Sequence, residues 1–235
     1  AHAIVQADDT VLGCWAHGIV HIVEGDIGNA RYWYRRAHRQ FPKDINPGAA
    51  DSNPYGLLAQ PGRQVFTDAG GNALNAVDAN GAISNLAVFP NGSVGAMTFQ
   101  AVPTTVTQGP DGQLYVGQLT GFPFLLGQAN VYRVPAAGGA PEIYASGFTK
   151  IIDIAFAEDG SLYVLQISSA AGPPPQGGTG SLYRVPPGGG TPTTIVAPGA
   201  GLVAPGGITI DRDGSIYVTN FSVSPTAGTV VKVVP

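Results

Sequence analysis

Four polar side chains occupy the same position after a repeated motif. The motif Asp-Gly-x-(Leu/Ile)-Tyr-Val stands at residues 111–116, 159–164 and 213–218, with a weaker copy at 61–66. Two residues beyond the copies, in chain order, stand Asp68, Gln118, Gln166 and Asn220. If the copies fold alike, these side chains share one height on one face of the molecule. Carboxylate and amide oxygens placed in this way suit Ca²⁺ or another hard cation.

The metal prediction adds one more carboxylate, Asp153, from the strand-like segment that precedes the third copy. Asp68, Asp153 and Asn220 are the predicted ligands of a Ca²⁺-type ion in a central channel. Such a site predicts a metal-dependent hydrolase similar to lactonases and gluconolactonases. The alternative is that these side chains bond the backbone of nearby turns. That alternative is favoured, because the four residues at the common position, Asp68, Gln118, Gln166 and Asn220, are rich in amides for a metal site.

The sequence contains no recognisable arrangement for nucleophilic catalysis. The Gly-x-Ser-x-Gly elbow is absent and all four histidines precede residue 43, so no Ser–His pair can be assigned. Cys14, beside Trp15 on an apolar helical face, is typical of a buried structural thiol. We therefore predict no catalytic residue and favour a binding function.

Two long segments follow the second and third copies of the motif. Residues 119–130 contain the run Phe-Pro-Phe, and residues 168–179 are rich in Gly and Pro. Both segments begin at equivalent positions, so they should emerge on one face, where exposed aromatic loops are typical recognition elements. The alternative is that the two phenylalanines merely cover the apolar core. The predicted contacts to a small molecule or a protein are Phe122, Phe124, Gln118 and Gln166.

The motif belongs to a repeated unit of antiparallel strands. Its copies start about 50 residues apart, and each has one strand-like segment before it and two after it. Asp-Gly supplies the turn that leads into the second strand. The fold class is therefore predicted to be mainly β, a β-propeller of about four four-stranded blades. The alternative, a β-sandwich, is disfavoured by the return of Val-Tyr-Arg-Val-Pro as Leu-Tyr-Arg-Val-Pro. The blades are expected at about 53–100, 101–148, 149–203 and 204–235, the last one incomplete.

Residues 1–43 differ from the rest of the chain. Apolar residues recur there at helical spacing over about 12–23 and 27–39, with Asp26 as the N-cap between them. We predict a helical hairpin, preceded by a short helix at 2–8 and followed by a linker at 44–52. The hairpin resembles a single tetratricopeptide repeat. The residues at that motif's relative spacing are Gly18, Ala30, Tyr34, Ala37 and Pro42.

Composition limits the partners. The net charge is −4, and no basic stripe suits a phosphate backbone, so nucleic acid is excluded. No run of 18 apolar residues predicts a membrane span. The open edge of the last blade predicts pairing with a second copy. The chain begins without a signal-peptide pattern, so we expect that such a segment is absent or already removed.

Residues 53–235 resemble the propeller proteins associated with scytonemin biosynthesis, the ScyD/ScyE type, which are related to NHL-repeat propellers. Matching stretches lie at 53–56, 67–74, 109–124 and 131–135. The resemblance implies an exported bacterial propeller, extracellular or periplasmic, with about six blades and no established reaction. The chain departs from this pattern because a helical hairpin stands in place of the opening blades. That junction indicates a truncation, a gene fusion or an assembled chimera.

Overall fold

The computed structural model describes residues 10–23, 26–40, 52–174 and 179–234. The helix expected at 2–8 and residues 44–51 of the expected linker lie outside these ranges. The first part of the chain forms helices α1 (Val11–Val23) and α2 (Ile27–Arg36). Within the described ranges, neither helix has the length and apolar character needed to cross a membrane.

The helical hairpin is shaped by its cap and by one glycine. Asp26 caps α2, since its Oδ1 accepts the N–H of Asn29 at 3.1 Å. The helix ends at Arg36 rather than near residue 39, because His38 adopts a φ of 51°, outside the helical region. A Cβ at Gly18 would lie 2.6 Å from the Tyr34 ring, so glycine lets α1 and α2 approach closely.

The rest of the described chain forms antiparallel sheets in which strands consecutive in sequence pair with each other. Sheet 1 contains β1 (Pro54–Gln60), β2 (Arg63–Asp68), β3 (Ala73–Asp78) and β4 (Ile83–Val88). A small hairpin of β5 (Gly92–Val94) and β6 (Met97–Phe99) follows. Sheet 2 contains β7 (Pro103–Gln108), β8 (Leu114–Gln118), β9 (Ala129–Val134) and β10 (Glu142–Phe148).

The second half of the chain repeats this arrangement. Sheet 3 contains β11 (Ile151–Phe156), β12 (Leu162–Gln166), β13 (Ser181–Val185) and β14 (Thr193–Val196). Sheet 4 contains β15 (Gly207–Ile210), β16 (Ile216–Asn220) and β17 (Thr229–Val233), so its described part has three strands. The mainly β fold class with repeated four-stranded sheets is confirmed. The β5–β6 hairpin was not predicted.

The Asp-Gly motif forms the turn between the first and second strand of sheets 2, 3 and 4. Gly112, Gly160 and Gly214 have φ values of 75°, 81° and 81°, in the left-handed region that glycine enters without a steric cost. The aspartate before the glycine accepts the N–H two residues later, as Asp159 does from Ser161 at 2.8 Å. The repeated dipeptide therefore fixes the register of the strands that follow.

The alternation of the second strand places side chains into two different cores. Leu114 and Val116 pack toward sheet 1, whereas Tyr115 between them packs toward sheet 3. Leu162 and Val164 likewise pack toward sheet 2. Three apolar cores thus lie between successive sheets. Because side chains alternate between the two faces of a strand, sheets 2 and 3 contribute to a core on each face.

The first strands of the sheets lie side by side. β1 contacts β7, β7 contacts β11, and β11 contacts β15. At Gly56 a Cβ would lie 2.5 Å from the Thr104 carbonyl oxygen, so glycine permits the close approach of β1 and β7. The sheets are therefore arranged around their first strands.

The helical hairpin packs on sheet 1. Cys14, Trp15, Tyr34 and Ala37 form an apolar cluster with Val77 of β3. The Arg39 guanidinium lies 4.7 Å from the Trp15 ring centroid and donates to the Ala79 carbonyl. The apolar side of the helices is thus covered by the sheet that follows them. The predicted division into domains at 43 and 52 stays a prediction.

Candidate functional site

The four polar residues of the repeat each end a second strand and are buried. Asp68 ends β2 and Asn220 ends β16, in sheets 1 and 4. Gln118 ends β8 and Gln166 ends β12, in sheets 2 and 3. The structure therefore places them at equivalent positions, as the sequence predicted.

Asp68 and Asn220 hold the segments that precede the first strands. Asp68 Oδ1 accepts the N–H groups of Asn53 at 2.7 Å and Gly71 at 2.9 Å, and its Oδ2 accepts the Ser52 hydroxyl at 2.7 Å. Asn220 Oδ1 accepts the Val203 N–H at 2.7 Å, and its Nδ2 donates to the Gly201 carbonyl at 3.0 Å. These oxygens satisfy buried backbone donors.

The two glutamines do the same in the middle sheets. Gln118 Oε1 accepts the Asn130 N–H at 3.1 Å, and its Nε2 donates to the Ala101 carbonyl at 3.3 Å. Gln166 Oε1 accepts the Thr149 N–H, and its Nε2 donates to the Ser181 hydroxyl at 2.7 Å. Both side chains connect the end of a second strand to neighbouring segments, which agrees with the backbone-bonding alternative.

Asp153, the third predicted metal ligand, ties three sheets together. Its Oδ1 accepts the Thr105 hydroxyl of β7 at 2.7 Å, and its Oδ2 accepts the Ile208 N–H of β15 at 2.9 Å. Burial raises the pKa of this carboxyl, although its hydrogen bonds act in the opposite direction. Among the described residues, no group of three or more His, Cys, Asp or Glu side chains could hold a metal ion. The Ca²⁺ site stays a prediction.

The loop after β8, residues 119–128, is fixed at its base and projects at its tip. The N–H groups of Leu119, Thr120 and Gly121 donate to the carbonyls of Val102, Ala101 and Gln100 at 2.9, 3.1 and 2.9 Å. Beyond them Phe122 is 79% exposed, while Phe124 is half-buried with its ring edge-on to Phe122 at 6.4 Å. Phe122 therefore lies in solvent and does not cover the core.

Two residues of this loop adopt a conformation unusual for their type. Thr120 has a φ of 69° and Phe124 a φ of 57°, in the left-handed region that β-branched and bulky side chains rarely occupy. The Thr120 hydroxyl is buried and makes no hydrogen bond. Strain and unpaired buried polar atoms are concentrated at functional sites in proteins. This loop is the candidate site.

Residues 167–174, which follow β12, are linked to the loop after β8. The link is the short segment between β10 and β11, residues 149 and 150. Gly127 donates its N–H to the Thr149 hydroxyl at 2.9 Å, and Lys150 Nζ donates to the Ala170 carbonyl. Residues 149 and 150 thus hold one loop each. Burial lowers the pKa of Lys150, because a desolvated ammonium is disfavoured.

Lys150 was missed in the sequence analysis. It occupies the position held by Val102 in sheet 2 and Ala204 in sheet 4, and the three residues have φ values of 53°, 52° and 42°. Counting three residues back from Thr105, Asp153 and Gly207 would have shown a lysine where sheets 2 and 4 carry apolar side chains.

Comparison with known proteins assigns the fold. No model of a protein family matches the sequence, and no curated protein matches it. Solved structures do match. A streptogramin B lyase is similar at 16% identity with a TM-score of 0.54, over 79% of this chain and 55% of that one. The fold is that of a β-propeller.

Two further structures share this propeller fold. A gluconolactonase from Xanthomonas campestris has 16% identity and a TM-score of 0.54, over 77% of this chain and 58% of that one. A nidogen/laminin complex has 15% identity and a TM-score of 0.54, over 84% of this chain and 65% of that one. The chain thus spans less than two thirds of each structure. Identities this low show the fold alone.

Proposed function

We propose that this propeller is a non-enzymatic scaffold that binds a small molecule or a protein through residues 119–128. The observation that carries the proposal is the exposure of Phe122 on a loop fixed at its base. A partner that covers the Phe122 ring removes its apolar surface from water, which favours binding. Gln118, Gln166 and Lys150 support the binding face from below by holding its segments.

The fixed base also favours binding on entropic grounds. Three backbone hydrogen bonds join residues 119–121 to residues 100–102. A further one joins the Phe124 N–H to the Gly121 carbonyl at 2.9 Å. A loop ordered before binding loses less conformational freedom when the partner arrives. The site is therefore prepared for capture without an accompanying nucleophile or base.

The proposal is tested with Nile red, an uncharged apolar dye, in a fluorescence titration. The double variant Phe122→Ala, Phe124→Ala should bind the dye about tenfold more weakly, because it loses the apolar contact area of both rings. The matched control is Leu57→Ala, which removes a 68% exposed side chain of β1 away from the loop. Equal affinities of the double variant and the wild type would contradict the proposal.

A metal-dependent hydrolase is the second candidate. It is supported by the similarity to a gluconolactonase structure and by the buried carboxyl of Asp153, whose pKa is raised. Asp68 and Asn220 would complete its ligand set. The hydrogen bonds that already occupy their oxygens favour the scaffold instead.

The resemblance to ScyD/ScyE-type propellers, carried by residues 109–124, extends our proposal to an exported protein.

A further inference from the structure

Sheet 4 differs from the other sheets at its outer edge. In sheets 1, 2 and 3 the third strand pairs on its outer side with a fourth strand, and each of these pairs is antiparallel. In the described part of sheet 4, the third strand β17 pairs with β16 alone. An edge strand with unpaired N–H and C=O groups is a template for a further strand. The position that β4, β10 and β14 fill in the other sheets is therefore open to a strand from another molecule.

The backbone of Val230 and Lys232 forms this free edge. The Asp211 N–H donates to the Ser215 carbonyl at 2.9 Å across the turn between β15 and β16. Because bonded pairs alternate along antiparallel strands, the backbone of Tyr217, two residues further on, faces β15. Lys232 lies opposite Tyr217 in the register of β16 and β17, so its own N–H and C=O groups face away from β16. Those of Val230, two residues earlier, point the same way.

The residues of β17 suit a strand that is paired on both sides. All but one are β-branched, a type enriched in strands: Thr229, Val230, Val231 and Val233. The remaining residue, Lys232, occupies the position that Arg133 has in β9 and Arg184 has in β13. Both of those strands pair on their outer side as well. A basic side chain at this position is therefore compatible with a further strand.

A second copy of β17 has the direction and the register that this edge requires. A twofold axis places a strand antiparallel to its own copy, which is the direction that the fourth strands take in the other sheets. With the axis at Val231, Val230 lies opposite Lys232 of the second copy, and the outward-facing groups of both residues are bonded. With the axis at Lys232, the two lysines would stand directly opposite each other, which destabilises a sheet.

The same register shields an exposed apolar side chain. Val230 is 67% exposed, whereas Leu74, Val131 and Leu182, at the same position of sheets 1, 2 and 3, are fully buried. Opposite it, the aliphatic stem of Lys232 from the second copy packs across Val230 while its ammonium stays in water. The side chain that complements this edge is therefore supplied by β17 itself.

We propose that two copies of the chain pair through β17, around a twofold axis at Val231, and join their copies of sheet 4 into one continuous sheet. The pairing uses no residue of the loop after β8, which belongs to sheet 2. It is therefore independent of the proposed function. The Phe122→Ala, Phe124→Ala variant should pair like the wild type.

Sedimentation equilibrium at low salt, about 0.05 M, measures the pairing. The wild type should have about twice the chain mass of 24.0 kDa. Val230→Lys should raise the dissociation constant of the dimer about tenfold, because like charges then stand directly opposite each other on both sides of the axis. The matched control, Val230→Glu, places a carboxylate opposite Lys232 and should pair at least as tightly as the wild type. The net charge of −4 would act in the opposite direction, since it favours the variant with the added lysine.

Val230→Pro tests the backbone contribution to the pairing. Proline removes the outward N–H and leaves the bonds to β16 intact, as at other edge strands. This variant should be monomeric and should keep the far-ultraviolet signal of the wild type. If it does not fold, the two charged variants decide. A wild type that is monomeric at about 0.1 mM, equal dissociation constants for Val230→Lys and Val230→Glu, or a dimer that survives Val230→Pro would overturn the proposal.

Discussion

Asp153 shows how one residue can look like a metal ligand and act as a structural tie. Its carboxylate accepts a hydroxyl from β7 and an N–H from β15, so it connects the sheets on either side of its own. It also accepts the N–H of Ile154 at 2.9 Å. Burial disfavours the charged form of this carboxyl, and these hydrogen bonds offset the effect only in part. The net result is a raised pKa for Asp153.

This pKa predicts a pH dependence of stability. The folded protein holds the Asp153 proton more tightly than the unfolded chain does, in which the pKa of this carboxyl is near its ordinary value of 3.8. The stabilisation is therefore complete below that value and is lost as the pH rises through the folded pKa. Asp153→Asn lacks this dependence. It also loses the acceptor for Ile208, so it should be less stable than the wild type by about 1–3 kcal/mol at low pH.

The difference in free energy of unfolding between the wild type and Asp153→Asn should therefore narrow as the pH rises. Urea unfolding of both proteins at pH values of about 4 and 7 measures it. Comparison with the wild type cancels the opposite trend from Asp78 and Asp159, whose pKa values are lowered mainly by backbone hydrogen bonds. A difference that stays constant or widens between the two pH values would show that Asp153 is not the group responsible.

The residues of the candidate site could be found from sequence to different extents. The phase of the repeat identified Asp68, Gln118, Gln166 and Asn220 and their common height. It could not identify their partners, because the bonded backbone groups are brought close only by the sheet, as with Val203 and Asn220. The left-handed backbone and unpaired hydroxyl of Thr120 have no sequence signature, since threonine usually avoids that conformation.

At the scale of elements, strong turns and alternation made the strands predictable. Asp-Gly followed by alternating apolar residues fixed the second strand, and the bounds of β8, β12 and β16 agree with it. The β5–β6 hairpin escaped prediction, because each strand has three residues and the segment 92–99 contains two glycines. Such short strands depend on the loops around them rather than on their own propensity.

The contact between the helical hairpin and sheet 1 gives an element-scale prediction. Val77 is buried beneath Trp15 and Tyr34, so Val77→Asp places an unpaired charge in that contact. The hairpin should detach at a cost of about 2–4 kcal/mol. Because both tryptophans, Trp15 and Trp33, lie in the hairpin, their fluorescence should shift to longer wavelength while the far-ultraviolet signal of the sheets is retained.

The control for this variant is Ile83→Asp. Ile83 pairs with Val77 across β3 and β4 but is 58% exposed, so an aspartate there remains hydrated. Its tryptophan emission should match that of the wild type. If Val77→Asp leaves the emission unchanged as well, the hairpin is held by contacts other than the cluster around Val77.

At the scale of the whole molecule, the sheets stand around their first strands, and any central metal would need ligands from several of them. The predicted set draws Asp68 from sheet 1, Asp153 from sheet 3 and Asn220 from sheet 4. In each case the side-chain oxygens already accept hydrogen bonds from the protein. Coordination would require these bonds to be given up, which leaves buried N–H groups without a partner.

The melting temperature of the propeller with and without Ca²⁺ distinguishes the scaffold proposal from the hydrolase proposal. A ligand bound to the folded state raises the melting temperature in proportion to the logarithm of its concentration. We expect about 1 mM Ca²⁺ to leave it unchanged in the wild type, because binding is offset by lost hydrogen bonds. Asp68→Ala should melt about 3–6 °C lower with or without the ion, since its role is to hold Asn53 and Gly71. A rise of several degrees with Ca²⁺ in the wild type, absent from Asp68→Ala, would favour the hydrolase.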